Sequence, residues 1–373
     1  MTSSPTSSST GFDARMPLAG IPGAVEGELL AFFDRRRGDV DKIGAPVAEA
    51  AGRIRDFVLG GGKRIRPLYG WAGFVGAGGL DTAGEDPRAV LRAVSSLEFI
   101  QACALIHDDI IDASDTRRGN PTVHRAVESA HRDRDLRGDA ATFGRNVAIL
   151  AGDLALVWAE DMWRDSGLSA ASLDRAQGAW RGMRTEVIGG QILDISLEAS
   201  GDESIELADK VNRYKTAAYT IERPLHLGAA IAGADTSTIE AFRGYGRDIG
   251  IAFQLRDDIL GVFGDSAVTG KPAGDDLREG KRTVLLSLAL SALDERDPSS
   301  AAELRAGVGA VTGAQEVARL AEIIRSSGAV EGVEKRIEAL TTSGLAHLEE
   351  AGLRGAVADT LRELAITSTA RRA

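Results

Sequence analysis

Apolar residues recur at three- and four-residue intervals along almost the whole chain, the spacing of one face of an α-helix, while strand-like alternation is scarce. The pattern predicts a helix over 45–59, with Pro46 in its first turn, where proline is tolerated, and Gly60-Gly61-Gly62 ending it. Residues 88–112 read as one long helix, apolar nearly all round after Leu97 and therefore buried. A polar loop over 116–121 and a charged surface excursion over 129–145 follow. Helices are expected over 148–166, 172–198, 204–232 (kinked at Pro224) and 236–264, then a loop over 270–280. Segments near 282–294, 314–327 and 329–368 complete the chain. No repeat or composition shift divides it. The expectation is an all-α fold: a Ser/Thr-rich disordered tail over 1–15 and one domain of roughly a dozen helices over 16–373.

Composition narrows this reading. The 373 residues are 43% apolar, enough for a large core, but only 5% aromatic, so Ala, Leu, Val and Ile must fill it. The net charge of −11 and the lack of a strong basic block argue against nucleic acid as a partner. A single cysteine, Cys103, excludes an internal disulfide and fits a reducing, cytoplasmic setting. No uninterrupted apolar run reaches the ~18 residues of a membrane span, and residues 1–10 lack the apolar centre of a secretory signal.

The segment Leu105-Ile106-His107-Asp108-Asp109-Ile110-Ile111-Asp112 carries the first chemistry. Asp108 and Asp112, four apart, share one helix face, where like charges repel and burial penalises them further. A bound cation relieves both costs, and hard oxygen ligands at this spacing suit Mg²⁺, which also accepts phosphate oxygens. Taken alone, the acids could simply close a helix end in water. The segment Phe253-Gln254-Leu255-Arg256-Asp257-Asp258 repeats the arrangement, which makes two walls of one cavity the better reading.

Cations cluster near these acids. Gly61-Gly62-Lys63-Arg64-Ile65-Arg66-Pro67 sets basic side chains after a turn whose glycines allow close approach to an anion, without the spacing of a Walker loop. Arg117 and Arg118 follow the first acidic cluster, and Lys215-Thr216, Lys271 and Lys281-Arg282 add further groups able to take up charge on a departing diphosphate.

Together these motifs resemble the trans-type (all-E) polyprenyl diphosphate synthases, most nearly the bacterial geranylgeranyl diphosphate synthases, over about 40–290. The resemblance rests on the Gly-Gly-Lys-x-x-Arg-Pro turn, Asp-Asp-x-x-Asp, Arg-Arg-Gly-x-Pro, Lys-Thr, Phe-Gln-x-x-Asp-Asp and the Gly-Lys-Pro, Gly-Asp-Asp and Lys-Arg-Thr series, in order. It implies a single helical bundle of the isoprenoid synthase type with a central cavity, in which an allylic diphosphate is ionised and isopentenyl diphosphate adds to the allylic cation, lengthening it by one C5 unit. It further implies three Mg²⁺ ions, a homodimer, and a proton passed to the departing diphosphate. Asp108, Asp112 and Asp257 match metal ligands, with Asp109 and Asp258 beside them. Lys63, Arg66, Gln101 and Arg118 match positions that hold isopentenyl diphosphate. Arg117, Lys215, Thr216, Gln254, Lys271 and Lys281 match positions that hold the allylic diphosphate, and Lys215, Thr216 and Gln254 lie near the developing carbocation. Two positions depart from the family pattern: Gly261 replaces the last Asp of the second motif, and Gln101 replaces a frequent His.

Counting back from Asp108 places Ala104, Cys103, Ile100 and Leu97 along the pocket for the growing tail, with Phe99 an alternative plug. Small Cys103 and Ala104 disfavour a C15 stop and favour C20, with C25 or longer as the alternative. The basic Arg371-Arg372 end is read as a frayed terminus, with a tail that covers the isopentenyl site, as in some relatives, the alternative. Residues 257–265 lack the Asn, Ser/Thr and Glu series of a terpene cyclase. Head-to-head squalene or phytoene synthases lack the Gly-Gly-Lys-x-x-Arg turn, and a non-catalytic subunit of a heteromeric synthase is expected to lose aspartates that stand here.

Overall fold

The computed structural model describes residues 12–264 and 273–370. The first half runs through α1 (Ile21–Ile43), α2 (Ala45–Leu59), α3 (Ile65–Gly76), α4 (Gly79–Thr82), α5 (Pro87–Ser95) and α6 (Leu97–Ile111). Two-residue strands, Thr116–Arg117 and Asn120–Pro121, form a small antiparallel ribbon, the only sheet among the described residues. Then come α7 (Val123–Asp133), α8 (Ala140–Arg164), α9 (Ala170–Ser200), α10 (Ile205–Val211), a π-helical segment (Asn212–Glu222), α11 (Arg223–Ala232) and α12 (Thr236–Phe263). The last part holds α13 (Asp275–Glu279), α14 (Val284–Arg296), α15 (Pro298–Gly307), α16 (Ala314–Ser326), α17 (Ala329–Glu350) and α18 (Ala356–Thr369). The all-α expectation holds.

The bundle is organised around α6, α9, the π segment and α12. α6 packs on α8, α9 on the π segment, and the π segment on α12, while α11 fills the space between α3 and α9. One large apolar core joins α1–α9, the π segment, α11, the first half of α12, the end of α17 and α18. A second, built from the far half of α12 and from α14, α16 and α17, backs the other side of the cavity.

Five local expectations change. The helix expected over 88–112 is broken at Ser96. The Ser95 hydroxyl donates to the Leu91 carbonyl (2.7 Å) and the Ser96 hydroxyl to the Ala93 carbonyl (2.6 Å), competing for acceptors that a continuing helix needs. The excursion over 129–145 is largely helical, because α7 buries Val127, Glu128 and His131 on one side. The helix over 204–232 is interrupted by a widened π segment that ends just before Pro224. Proline lacks the amide that an α-helix would use there, and the eleven residues of the π segment end just ahead of it. Finally, α15 was not foreseen, and Gly352 and Gly355, both at positive φ, divide the expected last helix into α17 and α18.

At the N-terminus, Phe12 stands edge-on to Trp71 at 5.3 Å and Arg15 pairs with Asp81, so packing begins ahead of residue 16. Residues 1–11 and Arg371-Arg372 lie outside the described residues. Two stretches are long and apolar enough to cross a membrane by length and composition, 87–111 and 140–164, since scattered polar residues interrupt their apolar runs without offsetting them. The first is 78% buried in the core; the second is only 28% buried.

Candidate active site

The first acidic motif sits at the end of α6, where the helix dipole already disfavours negative charge. Basic partners compensate. Arg117 donates through Nε to Asp109 (2.7 Å) and through Nη2 to Asp108 (3.3 Å). Lys215 Nζ lies 3.2 Å from Asp108 and 2.5 Å from Asp194. Burial opposes ionisation of Asp108, but Lys215, Arg117 and Lys281 outweigh it and hold the carboxyl below its usual range. Asp112 behaves oppositely: burial, then the charge of Asp108, pushes it up to about 6.

The π segment presents Lys215 and Thr216 to this wall. Close contact with α9 makes that possible, since a Cβ on Gly190 would lie 2.3 Å from the Lys215 amide nitrogen. The Thr216 hydroxyl donates to Gln254 Oε1 and Gln254 Nε2 donates to Asp258 Oδ1, both at 2.8 Å, tying the π segment to the second acidic motif on α12. Burial, then the charge of Asp276, pushes Asp258 up to about 8. Its Oδ2 is buried with no hydrogen-bond partner.

Between these walls lies a cavity of about 770 Å³ lined by Lys63, Asp108, Asp194, Lys215, Thr216, Gln254, Asp257, Asp258, Asp275, Asp276 and Lys281. Lys281 is held at its rim by Glu279 (2.6 Å) and Asp276 (3.7 Å). Among the described residues, no group of three acidic, His or Cys side chains is placed to hold a metal ion by itself.

The missing last Asp of the second motif has a structural counterpart. A Cβ on Gly261 would lie 2.0 Å from Asp276 Oδ2. The space of that side chain is filled by a carboxylate arriving from α13.

The basic turn before α3 faces a separate recess. Arg118 donates to the Gly61 carbonyl (2.7 Å) and lies over Gly62, whose added Cβ would meet it at 3.2 Å. Arg117, Arg118, Arg53 and Asn120 line a cavity of about 380 Å³. Burial, aided by Arg117, Arg64 and Arg66 and opposed by Glu98, lowers the Arg118 pKa. Arg66 lies 4.0 Å over the Tyr219 ring and donates to Thr220 (3.0 Å), while its buried Nε has no partner. Gln101 is half-buried on α6 and lines neither cavity. Lys271 lies outside the described residues.

A third cavity, again about 380 Å³, descends from Asp108 and Lys215 along Ala104, Cys103 and Ile100, against Val187, Ile188, Ile192 and Ile195 of α9. Leu97 corrects the expectation: it is fully buried beneath this pocket and packs toward Gly70 of α3. Ile100 is the earliest α6 residue that lines this cavity. Phe99 is no plug either; it sits in an aromatic group with Phe32 (4.9 Å) and Phe33 (5.4 Å). Burial pushes the Cys103 thiol up to about 12, leaving a neutral, small lining group.

Sequence reasoning missed the α9 contribution. Gln191 donates to Asp108 (3.2 Å), Asp194 pairs with Lys215, and Glu198 is pushed up to about 7 by burial and then by Asp194 and Asp112. The spacing of Gln191, Asp194 and Glu198 on one helix face was the available signal. Arg64 was also missed. It adopts φ 50° and forms a buried 2.7 Å pair with Glu98 that anchors the basic turn.

Comparison with known proteins agrees with this geometry. The polyprenyl synthetase family pattern matches residues 49–325. A geranylfarnesyl diphosphate synthase of Aeropyrum pernix is 35% identical, covering 77% of this chain and 82% of that protein. A (2E,6E)-farnesyl diphosphate synthase of Mycobacterium tuberculosis is 33% identical, covering 82% and 78%. The crystal structure of geranylgeranyl pyrophosphate synthase from Corynebacterium glutamicum, complexed with isoprenyl diphosphate and magnesium, superposes with a TM-score of 0.93 at 61% identity, over 96% of this chain and all of that one.

Proposed function

The chain belongs to the polyprenyl synthetase family and is a trans-prenyltransferase, and on that premise we propose that it joins isopentenyl diphosphate to an allylic diphosphate between α6 and α12, with geranylgeranyl diphosphate (C20) as its main product. The observation that carries this reading is the continuity of the site. The cavity between the acidic walls meets the apolar tail pocket at Asp108, Lys215 and Thr216.

In this reading Asp108 and Asp112 on one wall and Asp257 on the other hold Mg²⁺. The residues fit such an ion: Asp112 and Asp258 are pushed up to about 6 and about 8, and Asp258 Oδ2 lacks a partner. Bound Mg²⁺ supplies Lewis-acid stabilisation of charge on the leaving diphosphate. Lys215, Lys281, Lys271 and Arg117 orient the allylic diphosphate, and Arg117 also holds Asp108 and Asp109 in place. Lys63, Arg66 and Arg118 hold isopentenyl diphosphate, the first two on a turn fixed by the Arg64–Glu98 pair. The Thr216–Gln254–Asp258 chain fixes Gln254, so that its amide oxygen and the Lys215 and Thr216 carbonyls face developing positive charge. The departing diphosphate takes the proton released as the new double bond forms.

Small Cys103 and Ala104 above Ile100 support a C20 product, as does the likeness to a geranylgeranyl pyrophosphate synthase. The test is to incubate the purified chain with isopentenyl diphosphate and C5, C10 or C15 primers, with Mg²⁺ or chelator. Expected are C20 diphosphate, its loss with chelator, and near-abolished turnover in Asp108→Ala. A cyclised hydrocarbon, or turnover only with an added partner subunit, overturns the reading.

A further inference from the structure

The π segment Asn212–Glu222 serves both diphosphate regions of the site. Near its start, Lys215 reaches Asp108 and Asp194, and the Thr216 hydroxyl donates to Gln254. One turn later, the Tyr219 ring lies 4.0 Å from the Arg66 guanidinium, and the Thr220 hydroxyl accepts from Arg66 Nη2 (3.0 Å). Lys215 and Thr220 are five positions apart. In an α-helix that spacing separates two side chains by about 140° around the axis. The wider i→i+5 winding reduces the separation to about 50°. Widening is thus what brings both sets of contacts toward one side of the helix.

Such winding is rare and usually lasts a single turn. Pro224 accounts for its end, where the missing amide removes one helical bond, but the segment runs for eleven residues ahead of it. An ion pair spans almost that whole length. Arg213 Nη1 donates to Glu222 Oε2 across nine positions, and Glu222 is only 1% exposed. Nine positions are about two and a half turns of an α-helix, which sets two side chains on opposite sides. In the π winding they are about two turns, which sets them on the same side. The pair therefore closes in one winding and is pulled apart in the other. Glu222 is itself fixed to α12: Arg243 Nε donates to its second oxygen (3.1 Å), and a Cβ on Gly246 would fall 2.4 Å from the Glu222 Cα.

We propose that Arg213 and Glu222 are positioning residues, an ionic latch that holds the segment in its π winding. The latch sets Lys215 and Thr216 against the allylic diphosphate while Tyr219 and Thr220 hold Arg66. The proposal rests on the prenyl-elongating reading for what these groups bind. Neither residue lines the acid-walled cavity, the basic recess or the tail pocket, so the pair acts through the segment. Loss of the latch lets the segment relax toward α winding, which turns Lys215 away from Asp108 while every group of the site is still present. Arg243 ties Glu222 to α12 and does not span the segment, which makes it the natural comparison.

The test compares Arg213→Ala with Arg243→Ala in the full chain. Each removes one arginine from Glu222 and leaves the other, so Glu222 stays paired in both. Arg213→Ala should lower kcat with isopentenyl and allylic diphosphates by about 10–100-fold, the cost of misplacing positioned groups. Arg213→Lys should recover most of that loss, and Arg243→Ala should keep kcat near the wild-type value. Amide hydrogen exchange, followed by mass spectrometry, should quicken across 212–222 in Arg213→Ala more than in Arg243→Ala. If Arg213→Ala does not fold, Glu222→Gln, which keeps the shape and removes the charge, carries the same expectations. A merely structural role would lower kcat in both arginine variants in step with their thermal stability. That result, a wild-type kcat in Arg213→Ala, no recovery with lysine, or unchanged exchange over 212–222 each overturns the proposal. Chelator-sensitive chain extension by the wild type judges the functional reading separately, since hydrogen exchange does not depend on turnover.

Discussion

Adding one methyl group at Gly261 tests how the second acidic wall is completed. A Cβ there falls 2.0 Å from Asp276 Oδ2 and 2.4 Å from its Cγ, whereas contacts under 3.0 Å are essentially never seen. The carboxylate must therefore retreat by about 1 Å or swing away, a motion open to a side-chain terminus without loss of the fold. A misplacement of about 1 Å in a positioned group costs roughly 10²-fold in rate, or about 2.7 kcal/mol. Gly261→Ala is expected to lower kcat/KM by ~10–100-fold, with little change in Tm. Asp276→Ala should cost a similar amount, because it removes the same carboxylate. The decisive measurement is the double variant. If Gly261 matters only as room for Asp276, Gly261→Ala/Asp276→Ala should match Asp276→Ala within about threefold. Steady-state kinetics with isopentenyl and allylic diphosphates at saturating Mg²⁺, with thermal unfolding alongside, make the comparison. Multiplying effects, or a Gly261→Ala enzyme with wild-type kcat/KM, would refute the reasoning.

Two further outcomes follow from the pocket and from a buried histidine. Cys103→Phe should fill the tail pocket and shorten the product while condensation persists, whereas Leu97→Ala, beneath the floor, should cost about 2–5 kcal/mol of stability and leave product length unchanged; mass spectrometry of products and denaturant unfolding separate the two. His226 is held down to about 4 by burial and then by Arg223 and Arg243, below its unfolded value of about 6.5. Its contribution to stability is therefore present above pH ~6.5 and lost as pH falls toward 4, by about 1–3 kcal/mol after allowance for screening. His226→Gln should flatten that part of the stability–pH curve, and equal slopes for both proteins between pH 6.5 and 4 would remove His226 as the cause.

How much of the site was legible differs from element to element. Asp108, Asp109 and Asp112 could be read directly because their spacing is helical and their helix is apolar, so both the face and the cost of leaving them unpaired follow from local rules. The two-wall arrangement was also inferable, since Asp257-Asp258 repeats the signature. Asp194 and Glu198 were passed over because acidic residues on a helix read by default as a solvated face. Only packing of α9 against the π segment, through Gly190, turns that face inward. Asp276 was equally hidden, because its role comes from a space left at Gly261 in another element.

The sequence by itself determined the all-α class, the helix faces, the two acidic motifs, the basic turn, and hence the family and its reaction, because each depends on residues a few positions apart. Tertiary structure decided the rest. It placed Asp276 at Gly261, ended the tail wall at Ile100 rather than Leu97, widened the helix before Pro224 so that Lys215 reaches Asp108, and left Ile188, Ile192 and Ile195 both in the pocket and at the surface. These features join groups distant in the chain, and which groups meet is set by close packing between helices, which no local period encodes.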